Sequence, residues 1–138
     1  MSNTGKYKKI DTYFYDYHAL KISLETSIIR KECIEDEIKV FEDIDPNAKE
    51  IKSLRSLLIA RENIINIQRT QLKKMKEVLD GFPKTLREAE YDVYYMSVVE
   101  NKSVDEISNT LCFTAQYIRE IRSKLIDKFT QYKRIIEG

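Results

Sequence analysis

SVDEISNTLCFTAQYIREIRSKL, Ser103 to Leu125, holds two apolar-patterned segments separated by a few residues. Ser103 is followed three positions later by Glu106, the spacing at which a hydroxyl and a carboxylate cap each other's end of a helix. Thr114 offers its hydroxyl to a second helix start. Ile107 and Leu111 in the first segment, and Ile118, Ile121, Leu125 and Phe129 in and beyond the second, recur at helical steps and form one apolar face. Ser108 is small where the two helices must approach, and Phe113 in the turn is placed to plug their junction. The other face of the second helix carries Gln116, Tyr117, Arg119 and Glu120, then Arg122, Lys124 and Lys128.

Working back from this stretch, TLRE at 85–88 repeats the capping signature and predicts a preceding helix. Its core side would be Leu86, Tyr91, Val93, Tyr94, Val98 and Val99. A short helix, a tight turn and a longer basic helix make a helix-turn-helix. In that device the second helix enters the major groove, where base edges present a full donor and acceptor code. Gln116, Tyr117, Arg119 and Glu120 are the expected base contacts. Lys102, Thr114, Arg122, Lys124 and Lys128 are the expected phosphate contacts.

The first two thirds of the chain read differently. Ile51, Leu54, Leu58, Ile65, Leu72, Met75 and Leu79 fall on alternating steps of three and four, with Arg61 and Gln68 in the two positions the pattern skips. That is a heptad stripe with polar interruptions, and a helix of this length would run about 50 Å. Leu57 and Ile64 widen the stripe, which suggests more than one neighbour. Tyr17, Leu20, Leu24, Ile28, Ile34, Ile38 and Phe41 form a companion stripe, with Asp11 as its expected N-cap. DIDPN at 43–47 breaks the two, with Asp45 as a cap and Pro46 in the first turn of the new helix. DGFP at 80–83 ends the second, with Gly81 suited to the position just past a helix.

The expected fold is therefore all-α: a long antiparallel, coiled-coil-like helical hairpin followed by the helix-turn-helix. A basic tail covers residues 1–10, the hairpin 11–80 with its turn near 43–47, and the DNA-binding domain 84–138. The stripe of Ile51, Leu54, Leu58, Ile65, Leu72 and Met75 could close within one chain or between two, so a homodimer through the hairpin is a second use of the same face. The aromatic run YKKIDTYFYDY at 7–17 fits core or interface packing at helical spacing. The neighbouring Lys6, Lys8 and Lys9 leave base stacking as a minor alternative.

Composition agrees. Of 138 residues, 34% are charged, with only 3 Gly and 2 Pro, a mixture that suits long helices. The net charge of +1 conceals alternation along the chain: 11–44 is acidic, 45–80 basic, 81–113 acidic and 114–138 basic. Cys33, Cys112 and the single His18 form neither a metal set nor a disulfide framework, which points to reduced thiols, a cytoplasmic location and no metal. No stretch approaches a membrane span, no secretory pattern opens the chain, and no membrane partner is expected. With no nucleophile–base set and no glycine-rich phosphate loop, neither enzymatic activity nor a cofactor is expected.

NKSVDEISNTLCFTAQYIREIRSKLIDKF, 101–129, resembles the region 4 helix-turn-helix of sigma-70-type initiation factors, and more loosely the LuxR-type domain. The shared residues are KSxxEI at 102–107, the hydroxyl at Thr114 and IRxIxxK at 118–124. By size and architecture the chain also resembles the RinA/ArpU class of small phage late-gene transcriptional activators. The resemblance implies base contacts from Gln116, Arg119 and Glu120, phosphate contacts from Thr114, Arg122 and Lys102, and contact with RNA polymerase. Three positions depart from the family. Ala115 stands where a base-reading Arg is frequent, Cys112 where a turn Gly is common, and Asn101 where a Gly often precedes the motif. A positive φ at Cys112 would cost energy. The resulting expectation is a sequence-specific regulator of transcription on double-stranded DNA, an activator from a phage or prophage. Near-neutral charge over 81–138 implies weak DNA binding by one module alone, so a dimer or polymerase must add affinity. The alternative is a helical adaptor or anti-sigma-like protein that binds polymerase or another regulator without reading DNA, which the acidic 11–44 segment keeps open.

Overall fold

The computed structural model describes residues 2–138, with side chains from Ile10 onward. Among these residues every regular element is helical and there is no strand. Helix α1 spans Ser2–Ile44, α2 Lys49–Gly81, α3 Ala89–Tyr94, α4 Val104–Leu111 and α5 Ala115–Glu137. A 3-10 turn, Phe82–Thr85, precedes α3, and one π turn, Tyr95–Val99, follows it. No helix of the described residues is long and apolar enough to cross a membrane. The expected basic tail at 1–10 has its Lys6, Lys8 and Lys9 side chains outside the described residues.

The chain divides into two compact units. One is His18–Lys73, and the other combines the residues up to Tyr17 with Lys74–Gly138. The expected hairpin of 11–80 is thus shared between them: only its middle forms the first unit.

Within 18–73, α1 turns its Leu24, Ser27 and Ile38 inward and α2 its Ile51 and Ile65, all buried. Leu54, Leu58 and Leu72 of the stripe are half-buried, as is Met75 in the other unit. Gln68 donates from Nε2 to Ser23 Oγ at 2.9 Å. Lys31 pairs with Glu62 at 3.8 Å and Arg55 with Glu42 at 3.0 Å. Partner numbers fall along one helix as they rise along the other, so this stretch of α1 and α2 runs antiparallel. The exposed ion pairs contribute little each. Burial of each Leu or Ile stabilises by about 1.5–3 kcal/mol, and the Gln68–Ser23 bond, at a skipped heptad position, favours one register.

The turn departs in detail from expectation. Asn47 N–H donates to Asp45 Oδ1 at 3.0 Å, and Ala48 N–H to the Asp45 carbonyl at 3.0 Å. Asp45 therefore caps the turn, and Pro46 lies inside that turn instead of in the first turn of α2, which starts at Lys49. Asp11 is not an N-cap, because α1 is already helical from Ser2.

The other unit has one apolar core. Phe82, Ile10, Val78, Val93, Ile107, Ile118 and Leu125 are fully buried in it. Phe82 stands at the centre of an aromatic group, with ring centroids 5.5 Å from Tyr94, 5.1 Å from Phe129 and 6.0 Å from Tyr132. Tyr13 meets Phe129 edge-on at 5.3 Å. Its hydroxyl donates to Glu137 Oε2 at 2.6 Å. Burial, with the Glu137 bond and charge adding to it, pushes the Tyr13 phenol far above its ordinary range, so it remains a donor.

Gly81 is the last residue of α2, in right-handed helical conformation, and not the residue past the helix end. It leaves room for Tyr132: a Cβ there would overlap the Tyr132 hydroxyl, so a larger residue would have to displace that ring. The TLRE capping box does not form. Phe82 and Pro83 open a 3-10 turn, the Thr85 hydroxyl donates to the Phe82 carbonyl at 2.7 Å, and α3 begins only at Ala89. Glu88, just before it, takes φ 49° and ψ −119°. The π turn then shifts the helical phase by one residue. Tyr91 and Val99, expected in the core, are exposed by 42% and 54%, while Ser97 is buried. Tyr91 stacks on Tyr95 at the surface, with centroids 6.2 Å apart. Leu86, Val93 and Tyr94 are buried as expected, and Val98 half so.

Candidate nucleic-acid interface

α4 opens with the capping box expected from Ser103 and Glu106. Glu106 N–H donates to Ser103 Oγ at 3.2 Å, and Ser103 N–H donates back to Glu106 Oε1 at 3.0 Å. These bonds to the ionised form hold the Glu106 carboxyl below the usual range. Replacing the cap, Ser103→Ala, should lower unfolding stability by about 1 kcal/mol, checked by denaturant melts. An unchanged midpoint would show that the cap is redundant with packing of Ile107.

Three residues, Cys112 to Thr114, separate α4 from α5. Cys112 takes the left-handed conformation, φ 60° and ψ 34°, and Asn101 also has a positive φ of 54°. The Ser108 hydroxyl donates to the Phe113 carbonyl, tying α4 to the turn. Phe113 does not plug the junction. It is 38% exposed and meets Tyr117 edge-on at 5.0 Å, and Ile107 and Ile118 are the fully buried residues there. The side chain of Cys112 is exposed and its conformation suits glycine. Cys112→Gly should therefore raise unfolding stability by about 1 kcal/mol. A calorimetric melt that moves downward would mean the thiol makes a contact that outweighs its backbone strain.

α5 is capped by Thr114, whose Oγ1 accepts from Tyr117 N–H at 3.1 Å. Thr114 itself is exposed at the helix start, where backbone N–H groups favour an anion. Ile118, Ile121, Leu125, Ile126 and Phe129 face the core, each at most 6% exposed. Gln116, Arg119 and Glu120 are exposed on the other side, with Tyr117 at 44%. Gln116 Nε2 donates to Glu120 Oε1 at 3.4 Å, a long bond across one turn of the exposed face. The four residues expected to read bases thus share the solvent side of the first turns of one helix.

The expected phosphate contacts are less uniform. Lys102 Nζ is 3.5 Å from Glu100. Lys128 Nζ is bonded to Glu90 of α3 and holds that carboxyl below its usual range. Arg122 is half-buried beside Asp11. Burial pushes the Asp11 carboxyl up, and the Arg122 charge pulls against it. Lys124 is exposed and, with Tyr117 and Glu120, borders a cleft of about 280 Å³ closed on its far side by Arg87 and Glu88. Sequence reading missed this cleft because it depends on the late start of α3, which places 87–90 against α5.

Comparison with family models, with curated proteins and with solved structures finds no match. Among the described residues no group of His, Cys, Asp and Glu is arranged to hold a metal ion.

Proposed function

We propose that this protein is a sequence-specific DNA-binding regulator of transcription, in which α4, its turn and α5 act as a sigma-region-4-like helix-turn-helix beside an antiparallel helical hairpin. α5 lies in the major groove of double-stranded DNA. Gln116, Tyr117, Arg119 and Glu120 contact base edges, while Thr114 and Lys124 meet phosphates. Lys102, Arg122 and Lys128 add charge after exchanging their internal carboxylate partners for phosphate. By its resemblance to sigma factors and small phage activators, the chain acts as a phage or prophage activator together with RNA polymerase.

The observation that carries this reading is the division of α5. Its inner side is buried to within a few per cent, and its N-terminal outer side presents a polar group of four next to a capped helix start whose backbone N–H groups favour an anion. Arg is suited to the guanine edge, Gln to adenine and Glu to the cytosine amino group.

A second reading draws on the engagement of the cations. Lys102 and Lys128 are each within ion-pair distance of a carboxylate, and Arg122 lies beside Asp11. A helical adaptor that binds polymerase or another regulator would need no free cations. Selection from sheared genomic DNA separates the two. The DNA reading expects recovery of a few defined fragments and a log-log salt slope of several units, about 0.9 for each phosphate neutralised. Even recovery of all fragments, or a slope near zero, overturns it.

A further inference from the structure

The hairpin unit, 18–73, has a second apolar strip that its own packing leaves uncovered. On α2, Ser53, Leu57, Ala60, Ile64, Ile67 and Gln71 follow one another at steps of four and three, beside the buried stripe. None is charged, and Leu57, Ile64 and Ile67 are 56%, 39% and 59% exposed. The opposite flank of α2 is mostly charged, with Lys52, Arg55, Glu62, Arg69 and Lys73 around a single exposed apolar residue, Ile59, and it makes both ion pairs to α1. In an antiparallel pair like flanks face each other, so the charge-free flank of α2 adjoins one flank of α1. That flank carries Val40 and Ile44, exposed by 57% and 77%, and two exposed charges, Arg30 and Glu37, seven residues apart. A 3.5-residue repeat keeps residues seven apart on one line.

We propose that this face binds a second copy of the chain, making an antiparallel four-helix bundle with a two-fold axis at the level of Cys33. The choice of occupant rests on self-complementarity. Under a two-fold axis residue i meets j and j meets i. Arg30 of each copy then meets Glu37 of the other if the axis passes midway between them, close to Cys33. The Lys31–Glu62 pair places that level opposite the stretch around residues 60–62 of α2. The uncharged strip from Ser53 to Gln71 is centred there too. The charge pattern on α1 and the apolar pattern on α2 place the axis independently, and they agree.

This proposal does not rest on DNA recognition, and its test contains no DNA. Light scattering on the full chain should give twice the 16.4 kDa chain mass. Ile64→Asp, at a site outside the buried stripe, should return the single-chain mass while the helical circular dichroism signal is kept. Arg30→Glu should weaken association at least tenfold by sedimentation, and adding Glu37→Arg to it should restore it, because the swapped pair is again complementary. In a Cys112→Ser background a short bismaleimide should join Cys33 to Cys33 in the dimer. A single-chain mass for the unaltered protein overturns the proposal. So does a dimer indifferent to Ile64→Asp, or an Arg30→Glu defect that the swap does not repair.

Discussion

Phe82→Ala should lower unfolding stability by about 3–5 kcal/mol, the largest effect of any single substitution considered. Phe82 is fully buried and its ring is shared by Tyr94 of α3 and by Phe129 and Tyr132 of α5. Truncation removes about the transfer energy of the ring and also leaves a cavity that three other aromatic rings, one held by α3 and two by α5, cannot close by small shifts. Removal of the edge-to-face ring pairs adds a further share, about 0.5–1.5 kcal/mol for each well-formed pair. Domains of this kind are stabilised by about 5–15 kcal/mol in total, so the variant should sit close to its unfolding midpoint near body temperature. Denaturant melts followed by circular dichroism and by tyrosine fluorescence measure this. A loss below about 1 kcal/mol would show that the core can collapse around the missing ring.

The second large effect concerns recognition. Gln116→Ala, Arg119→Ala and Glu120→Ala together should remove preference among DNA sequences, at about 1–3 kcal/mol for each good hydrogen-bonded pairing with a base edge. Folding should be unaffected. All three side chains are exposed, and the only bond among them in the structure is the 3.4 Å one from Gln116 to Glu120. Alanine also has a higher helix propensity than any of them. The variant should therefore keep its melt while its enrichment of particular genomic fragments collapses to the level of bulk DNA. Equal enrichment of the same fragments by variant and unaltered protein would remove the base-reading role from α5.

These two positions were unequally legible. The outer residues of α5 follow from local rules. Thr114 announces a helix start, the steps from Ile118 to Leu125 set its buried side, and the polar group must then face outward. Cys112 was singled out only through the resemblance, as a position where a turn Gly is common, and it has φ 60°. Heptads and a short turn predicted an antiparallel pair over 11–80 but left open whether its stripe closes within one chain or between two.

Phe82 gave no comparable signal. It lies in DGFP, where glycine and proline mark an interruption, and no periodic pattern assigns a side chain at such a break to the core. Tyr91 and Val99 misled for the converse reason. A steady 3.6-residue period places both inside; the π turn at Tyr95–Val99 shifts that period for Val99, whereas Tyr91, ahead of the turn, lies on the outer side of the short α3, stacked on Tyr95. Whether a helix takes such a turn depends on what it packs against, not on its own propensities.

By itself, then, the sequence determined the helical class, the caps at Ser103 and Thr114 and the two faces of α5, since each depends on interactions within about one helical turn. The tertiary structure alone decided which break became core at Phe82, where α3 begins, which charges near α5 hold internal partners, and how residues before Tyr17 join the C-terminal unit. Each of these compares the burial or pairing of groups far apart in the chain, and that comparison exists only once the chain is folded.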